Sequence, residues 1–578
     1  MPDSETGQLH GEWLAIDPLP ELLHSRAVFG TRTPRDKTHP FSQMKVFSAY
    51  AEKPLRLVGA ALVAVCVASC VSVGPDFNNP TAPLADSWLP GKETRIEGVP
   101  VESGAWWKLL KDPVLGKLIA VASDENLTLQ GAAVKVAEAR ANLAIAVGSQ
   151  FPQRQRATGH AAAVGLSDHA PNVALGDTRF SNGQVGFDAA WELDLWGKFR
   201  RGVESADAGM LASLASYDDT LVTVTAEVAR VYVVLRAAEE RLALARENVV
   251  IQQDTLGLAN VRFQEGDVSE LDVTQARALL RDTEALIPQL QTGIRQAKNA
   301  LSTLLGKPPG KLADILGKNG RGKEIPVPPD GIAAGIPADL LRRRPDLRLA
   351  EHLAAAQSAR IGIAEAGLYP TVSLGGSMGF ATSEDGGSPS NNATLSDLFK
   401  GNSFTYLVGP SVEWPILNYG RIRNRVRVED ARLQQLILAY QNKVLLAARE
   451  VEDALEAFAR SRETVGYLTE GVKDARRSVD LALIQYREGA VDYQRVLETQ
   501  RFLVRQQDRH AEKRGDVVLN LVAAYKALGG GWKARRGKGI LHERVQKEME
   551  QRTNWGEMLS APRSTNNIRR GSPHDEQE

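Results

Sequence analysis

Apolar side chains recur at every seventh position across residues 214–263, and a second, mostly apolar series lies three places after each of the first seven. The first series is Leu214, Leu221, Val228, Leu235, Leu242, Val249, Leu256 and Phe263. Two apolar positions per heptad form the seam along which one helix packs against another. At about 1.5 Å per residue, the pattern predicts a coiled-coil helix roughly 75 Å long, far longer than the usual globular helix.

The same pattern returns 223 residues further along the chain. All eight shifted seam positions are apolar: Ile437, Val444, Val451, Phe458, Val465, Val472, Val479 and Tyr486. The flanks repeat at the same spacing, since residues 191–200 match residues 414–423 and residues 263–268 match residues 486–491. Self-similarity at one spacing, over both the helix and its flanks, predicts a tandem duplication.

Each half of the chain predicts the same three parts. A short helix comes first, over residues 124–150 in one half and 346–368 in the other. Two stretches of alternating character follow, each of about ten residues, which is the length that a tilted transmembrane strand needs. These stretches are 156–166 and 184–195, then 371–380 and 404–414. The long helix turns back at Gly266 or Gly489 into a second heptad series, which predicts an antiparallel helical hairpin.

Five aromatic residues lie where the predicted strands join the helices: Trp191, Trp196, Tyr369, Trp414 and Tyr419. Aromatic side chains of this kind form girdles at membrane interfaces. The alternative is a small soluble sheet that holds these rings in its core.

The number of strands bears on the assembly, because a small barrel needs about eight strands and an open sheet edge cannot face lipid. The four strands of one chain must therefore join those of other chains in a common barrel. We predict a mixed, mainly α fold in which three chains form a twelve-stranded outer-membrane β-barrel, continued in the periplasm by an α-helical coiled-coil barrel.

The pattern divides the chain into six segments. They are an N-terminal extension with a signal peptide (1–69), a lipid-anchored arm with an equatorial segment (70–123), the first repeat (124–305), a linker (306–340), the second repeat (341–528) and a polar tail expected to be disordered (529–578). Translation is expected to start at Met44, because the residues before it lack helical or strand periodicity.

A bacterial lipoprotein signal is predicted around Cys70. Basic residues at 45, 53 and 56 precede an apolar run over 57–67, and the small residues Ala68 and Ser69 stand immediately before the cysteine. The thiol of Cys70 would carry the lipid and become the first mature residue. A buried core helix over the apolar run is the alternative.

Charge and composition exclude several classes of function. The 578 residues include 70 basic and 70 acidic residues, so no electrostatic attraction for nucleic acid is expected. An arginine run at 342–344 is accordingly interpreted as a solvated helix start. Two cysteines exclude a disulfide framework or a cysteine-ligated zinc site. The chain has no metalloprotease motif, nucleophile elbow or Walker A loop, so neither an enzyme, a metal site nor a cofactor beyond the lipid on Cys70 is expected.

Several ordered motifs together resemble a known family. They are Cys70, the segment from Val73 to Phe77, Trp106 with Trp107, Asp112 with Pro113, Arg344 to Asp346, Tyr369 with Pro370, and the matched strand exits and helix turns. Over residues 57–531 the chain resembles the TolC-type outer-membrane factors, in their NodT/OprM-like lipoprotein branch. The resemblance implies a homotrimeric exit duct that docks with a periplasmic adaptor and an inner-membrane pump of the RND class, and that exports drugs, metals or other small molecules.

The resemblance also implies a gate at the periplasmic helix turns, where acidic residues ring a constriction. The matching positions are Asp272, Gln275, Arg495 and Glu498. We hypothesise that Asp272 and Arg495 on adjacent hairpins form part of the closed-state lock, with Asp492 or Glu498 as a further acid. Solvated surface charges are the alternative, since exposed pairs contribute about 0–1 kcal/mol. The candidates for docking the adaptor are Gly266, Val268, Ser269, Gly489 and Val491.

Two other functions stay open at this point. A lipid-anchored periplasmic adaptor also has a long helical hairpin, although a single one inserted between halves of a β-domain. A purely structural coiled-coil protein would leave the lipid signal and the aromatic strand exits unexplained.

Overall fold

The computed structural model describes residues 72–89, 103–167, 169, 178–310, 312–316, 324–332, 337–339, 343–384, 393–532 and 539–559. Cys70 and the predicted signal peptide lie outside the described residues. A 3-10 helix, Ser103–Leu110, and helix α1, Pro113–Glu125, precede the first repeat. Among the described helices, none combines the length and the apolar character that crossing a bilayer requires.

The two repeats contain the same elements in the same order. The first consists of α2 (Leu127–Gly148), β1 (Arg154–Gly165), β2 (Arg179–Leu193), α3 (Lys198–Gln264) and α4 (Glu270–Leu304). The second consists of α5 (Pro345–Ala366), β3 (Thr371–Glu384), β4 (Phe404–Glu413), α6 (Arg421–Arg487) and α7 (Tyr493–Ala527). The two short helices have 22 residues each, the two long helices 67 and the two return helices 35. The predicted tandem duplication is confirmed.

The strands form one antiparallel sheet in the order β1-β2-β3-β4. Both predicted hairpins are present, and the pairing of β2 with β3 joins the two repeats. Residues directly opposite each other share a face of the sheet. One face carries Val185, Phe187, Trp191, Leu374, Met378, Phe380, Phe404, Tyr406, Val408 and Val412. The other carries Arg156, His160, Gln184, Asp188, Ser373, Ser377 and Ser411. The sheet is thus apolar on one side and mainly polar on the other.

The helices form a wall one helix thick. Near the sheet, α3 packs against α2 and α5, and α5 packs against α6. Towards the other end, α3 packs against α4 and α7, and α7 packs against α6. The main core lies midway along the wall, where the side chains of Trp106, Tyr232, Phe458 and Tyr525 are fully buried. The indole of Trp106 stacks on the ring of Tyr525 with centroids 5.6 Å apart.

Part of the C-terminal segment is ordered, so the prediction of a disordered tail is wrong for residues 539–559. This stretch contains helix α8, Glu543–Arg552, and a 3-10 turn, Gly556–Leu559. Met549 and Leu559 are buried against Ala137 of α2. The tail is polar on average, but it contains a few spaced apolar residues. They cover an apolar strip of α2 that would otherwise be exposed.

The interpretation of the arginine run as solvated is wrong for Arg344, whose side chain is buried. Its Nε and Nη2 donate to the two carboxylate oxygens of Asp346 at 3.0 and 2.9 Å. Its Nη1 donates to Glu450 of α6 at 2.8 Å and to the carbonyl of Ala527 at 3.0 Å. A guanidinium has five donors in a fixed plane, which lets one side chain join the start of α5 to α6 and to the end of α7.

Candidate functional site at the hairpin tips

The two hairpin turns have the same backbone geometry. Gly266 and Gly489 adopt positive φ angles of 85° and 74°. The next N–H in each turn bonds back to the helix, from Asp267 to the carbonyl of Arg262 at 2.9 Å and from Ala490 to that of Gln485 at 2.8 Å. This left-handed helix end suits glycine, which has no Cβ to clash. Both hairpins therefore reverse sharply, at equivalent positions.

The two tips pack into one apolar cluster, which we call the tip cluster. Its buried members are Ala259, Val273, Ala276, Leu279, Ala482, Tyr486, Tyr493, Val496 and Leu497, drawn from all four helices of the two hairpins. The rings of Tyr486 and Tyr493 meet edge to face with centroids 5.6 Å apart. The tips of one chain are thus held together by burial.

Arg262 joins the first tip to the second, and sequence reasoning did not identify it. Its guanidinium lies 4.8 Å from the centre of the Tyr486 ring, and Nη1 donates to the carbonyl of Tyr486. Nε lies 3.8 Å from a carboxylate oxygen of Asp267. Burial raises the pKa of Tyr486, against the opposing charge of Arg262, so the ring is neutral at ordinary pH. The combination of a ring face and a cation is a favourable cation–π contact.

The gate candidates of the first repeat lie at the start of α4. Asp272 is in the first helical turn, half-buried, with its Oδ1 3.5 Å from the hydroxyl of Ser269. Its carboxylate is near enough to the tip cluster to raise the pKa of Tyr493, although burial is the larger cause. Gln275 is half-buried one turn later.

The gate candidates of the second repeat lie at the start of α7. The Asp492 carboxylate caps this helix by accepting from the backbone N–H of Arg495 at 3.3 Å. The side chains of Arg495 and Glu498 are exposed, and Glu498 accepts from Gln494 at 3.0 Å. Within the described part of a single chain, Asp272 and Arg495 do not form an ion pair with each other.

The docking candidates divide into two groups. Gly266, Ser269 and Gly489 are exposed at the turns. Val268 and Val491 are half-buried and pack against the tip cluster, so their side chains also support the turns.

Above the tips, the seam between the two hairpins is polar. Asn248 of α3 donates to Gln507 of α7 at 2.6 Å, and Gln500 donates to the hydroxyl of Thr255 at 2.9 Å. Neither polar atom of the buried Gln252 amide has a hydrogen-bond partner among the residues that the structure describes. Each buried unsatisfied group costs about 1–3 kcal/mol. The hairpins are therefore joined less tightly along this stretch than an apolar seam would join them.

No group of three or more His, Cys, Asp or Glu side chains suited to a metal ion occurs among the described residues. A thin wall of paired helices, continued by a sheet with one apolar and one polar face, is the architecture of a channel wall. Its hairpin tips expose charged side chains, among them Arg495 and Glu498, next to the turn glycines Gly266 and Gly489.

Comparison with known proteins identifies the family. The family described as "Outer membrane efflux protein" matches residues 118–307 and 336–530, and the chain belongs to it. The chain is 32% identical over 442 residues to nodulation protein T from Rhizobium leguminosarum bv. trifolii, covering 76% of this chain and 89% of that protein. It is 30% identical over 484 residues to outer membrane protein OprJ of Pseudomonas aeruginosa, covering 83% and 97%. The structure of the outer-membrane channel OprN matches it with a TM-score of 0.73 at 32% identity, covering 80% and 99%.

These findings confirm the resemblance and the TolC-like fold. The chain is an outer-membrane channel of an efflux system, a transport protein and not an enzyme. The adaptor alternative is wrong, because the chain belongs to the outer membrane efflux protein family and its described residues form two tandem hairpins and one four-stranded sheet. The soluble-sheet alternative is wrong as well, since the apolar face of the sheet is exposed and the family is one of the outer membrane.

Proposed function

We propose that this outer-membrane channel works as a homotrimer and is the exit duct of a tripartite RND-type efflux system. The observation that carries the proposal is the arrangement of open edges. Elements β1, α2 and α4 lie at one edge of the wall, and β4 and α6 lie at the other. Joining the second edge of one chain to the first edge of the next is a head-to-tail contact, which forms a ring when the rotation between neighbouring chains closes. Three chains would close a twelve-stranded barrel.

The surface of α6 supports this closure. It is an edge helix, and it exposes large apolar side chains along its length, namely Val428, Leu438, Leu445, Tyr467, Leu481 and Ile484. Exposed apolar side chains in such a row mark an interaction surface. A neighbouring chain would cover them.

The amphipathic sheet fits a position in the outer membrane, with its apolar face towards lipid and its polar face towards the lumen. The helices would then extend into the periplasm, and the lipid on Cys70 would anchor the chain. The exposed turn residues Gly266, Ser269 and Gly489 would meet the periplasmic adaptor, which connects the duct to the inner-membrane pump. Small molecules such as drugs or metals are the proposed cargo.

The test is the native mass of the mature protein in mild detergent. A trimer is expected, because a head-to-tail contact leaves unpaired edges in any open assembly. A stable monomer would overturn the proposal of a barrel shared between chains, since the four strands of one chain would then form a stable sheet by themselves.

The proposed gate requires the trimer, because it pairs residues of adjacent hairpins. We propose that Asp272 pairs with Arg495 of an adjacent hairpin when the duct is closed, and that Asp492 or Glu498 supplies a further acid. Asp272 and Arg495 lie at the same end of the wall, and the exposed Arg495 side chain is free to reach a neighbouring hairpin.

Replacing Asp272 with lysine is expected to raise the single-channel conductance in planar bilayers. Each exposed pair contributes up to about 1 kcal/mol, so three pairs acting together change the open-to-closed ratio by up to about 100-fold. Asp282, an exposed acid further along α4, provides the matched control as Asp282→Lys. Equal conductance in the wild type and Asp272→Lys would count against the lock.

A further inference from the structure

The arm that precedes the first helix enters a narrow slot at the junction of sheet and helices. The backbone N–H of Val73 donates to the carbonyl of Trp196 at 3.1 Å. A Cβ at Gly197 would lie 2.3 Å from the hydroxyl of Ser72, and one at Gly362 would lie 2.6 Å from the carbonyl of Val73. Gly74 adopts a φ of 89° where its backbone crosses Gly362. The slot exists only because these positions have no side chains.

Arg201 of α3 closes the slot around the arm. It is 4% exposed. Nε donates to the carbonyl of Val73 at 3.1 Å, and Nη2 donates to the carbonyl of Gly74 at 3.0 Å and to the carboxylate of Asp76 at 2.8 Å. Nη1 donates to Glu204 at 2.7 Å. Two of the groups that Arg201 holds are main-chain carbonyls, so it fixes the path of the backbone itself.

The arm is held further along by the second repeat. The hydroxyl of Ser358 lies 3.4 Å from the carbonyl of Pro75, and Gln441 donates to the carbonyl of Thr81 at 3.0 Å. Trp88 is buried in the main core. Since Arg201 belongs to the first repeat and these partners to the second, the arm fastens the two repeats together.

We propose that Arg201, together with Gly197 and Gly362, is a positioning site for the lipid-bearing N-terminus. The inference rests on the proposed attachment of lipid to Cys70. Two peptide units separate Cys70 from Ser72 and span at most about 7 Å, so fixing Ser72 fixes where the acyl chains begin.

Ser72 lies at a level of the molecule that suits a membrane anchor. The slot lies beside Trp196, whose ring stacks on Tyr369 with centroids 4.6 Å apart. Trp191 and Trp414 donate to the carbonyls of Gln150 and Leu368, at the ends of the strands. Aromatic rings with polar edges mark the membrane interface. The positioning site thus makes the acyl chains and the apolar face of the sheet enter the membrane at the same level.

The experiment combines palmitate labelling with proteolysis of the whole mature protein. Chymotrypsin cleaves after Phe77, which is half-buried in the arm, and the cut separates the labelled N-terminus from the rest of the chain. Variants Arg201→Ala and Gly362→Ala are expected to lose the label at least tenfold faster than the wild type. Arg201→Lys should be intermediate, because an ammonium keeps a charge towards Asp76 but cannot hold both carbonyls in a planar fork.

Two neighbours provide matched controls. Lys198, in the same helical turn, pairs with Glu192 at 2.8 Å, and a Cβ at Gly202 would meet nothing within 4 Å. Lys198→Ala and Gly202→Ala should keep the wild-type rate. Circular dichroism shows whether the long helices stay folded in each variant.

The released peptide is also measured by mass spectrometry, which separates the two possible failures. Wild-type cleavage rates in Arg201→Ala and Gly362→Ala would overturn the positioning site. A wild-type protein with no palmitate, indistinguishable from Cys70→Ser, would overturn the lipid attachment and the proposal with it.

Discussion

Replacing Arg344 with alanine is expected to lower the free energy of unfolding by about 3–5 kcal/mol, because it leaves a buried carboxylate without its partner. Arg344 is 8% exposed and so is Asp346, and they share a two-point contact. Lys443 lies 3.9 Å from the same carboxylate and compensates only in part. Urea unfolding of the detergent-solubilised protein measures the loss.

Two further variants distinguish the loss of the Arg344–Asp346 pair from the general effect of removing a positive charge on the free energy of unfolding. Arg449 forms an exposed pair with Asp453 at 3.9 Å, and Arg449→Ala should cost about 0–1 kcal/mol. The double variant Arg344→Ala with Asp346→Ala should be more stable than the sum of the single losses predicts, since no unpaired charge is left behind. Strict additivity would show that the two side chains are not coupled.

The same pair predicts a pH dependence. Burial alone would raise the pKa of Asp346, but the hydrogen bonds and charge of Arg344 outweigh it and lower the pKa below its ordinary value. A lowered pKa in the folded state contributes stability that is present above the unfolded pKa of about 3.9 and is lost as the pH falls below it. The difference in stability between wild type and Arg344→Ala should therefore shrink in acid. A constant difference would contradict this assignment.

The second large effect is expected at Met378, in the middle of β3. Met378 lies between Phe187 and Tyr406 on the apolar face of the sheet and is 51% exposed. An arginine on the lipid side of a barrel costs about 2–4 kcal/mol near the middle of the bilayer, or about 6–12 kcal/mol for three chains. Met378→Arg should therefore abolish trimer in the outer-membrane fraction.

The next residue in the strand is the matched control. Ser377 lies between Asp188 and Leu407 on the polar face, so Ser377→Arg would face the lumen and should leave the amount of trimer within about twofold of wild type. Equal loss of trimer in both variants would mean that the two faces do not differ in environment, and the membrane position of the sheet would be wrong.

The periodic elements could be predicted because their signals are local. The heptad series located both long helices, and the glycines located both turns. The start of α3 was missed by 16 residues, since the prediction began at Leu214 and the helix begins at Lys198. That first part of α3 buries Ala208 and Ala212, which let helices approach closely but do not register in a count of large apolar side chains.

The contacts that join distant parts of the chain could not be predicted from one sequence. Arg262 and Tyr486 are 224 residues apart, and Arg201 is 128 residues from Val73. An arginine in such a place looks like any exposed arginine until the fold supplies its partners. The gate candidates lie at the hairpin tips, and both their role and their pairing with a neighbouring chain stay predictions.

The equal lengths of the two hairpins limit how the helical part of this protein can change its length. Both long helices have 67 residues and begin just after the second strand of their repeat, so both tips lie at a similar distance from the sheet. Inserting one residue into either helix would advance its tip by about 1.5 Å and rotate it by about 100°. The rotation would turn the apolar seam of the helix away from the helices that it packs against. Insertions of whole heptads, about 10.5 Å each, keep the seam in phase when both hairpins and their return helices receive them. Relatives adapted to a wider or narrower periplasm should therefore differ in steps of seven residues, matched in both halves of the chain.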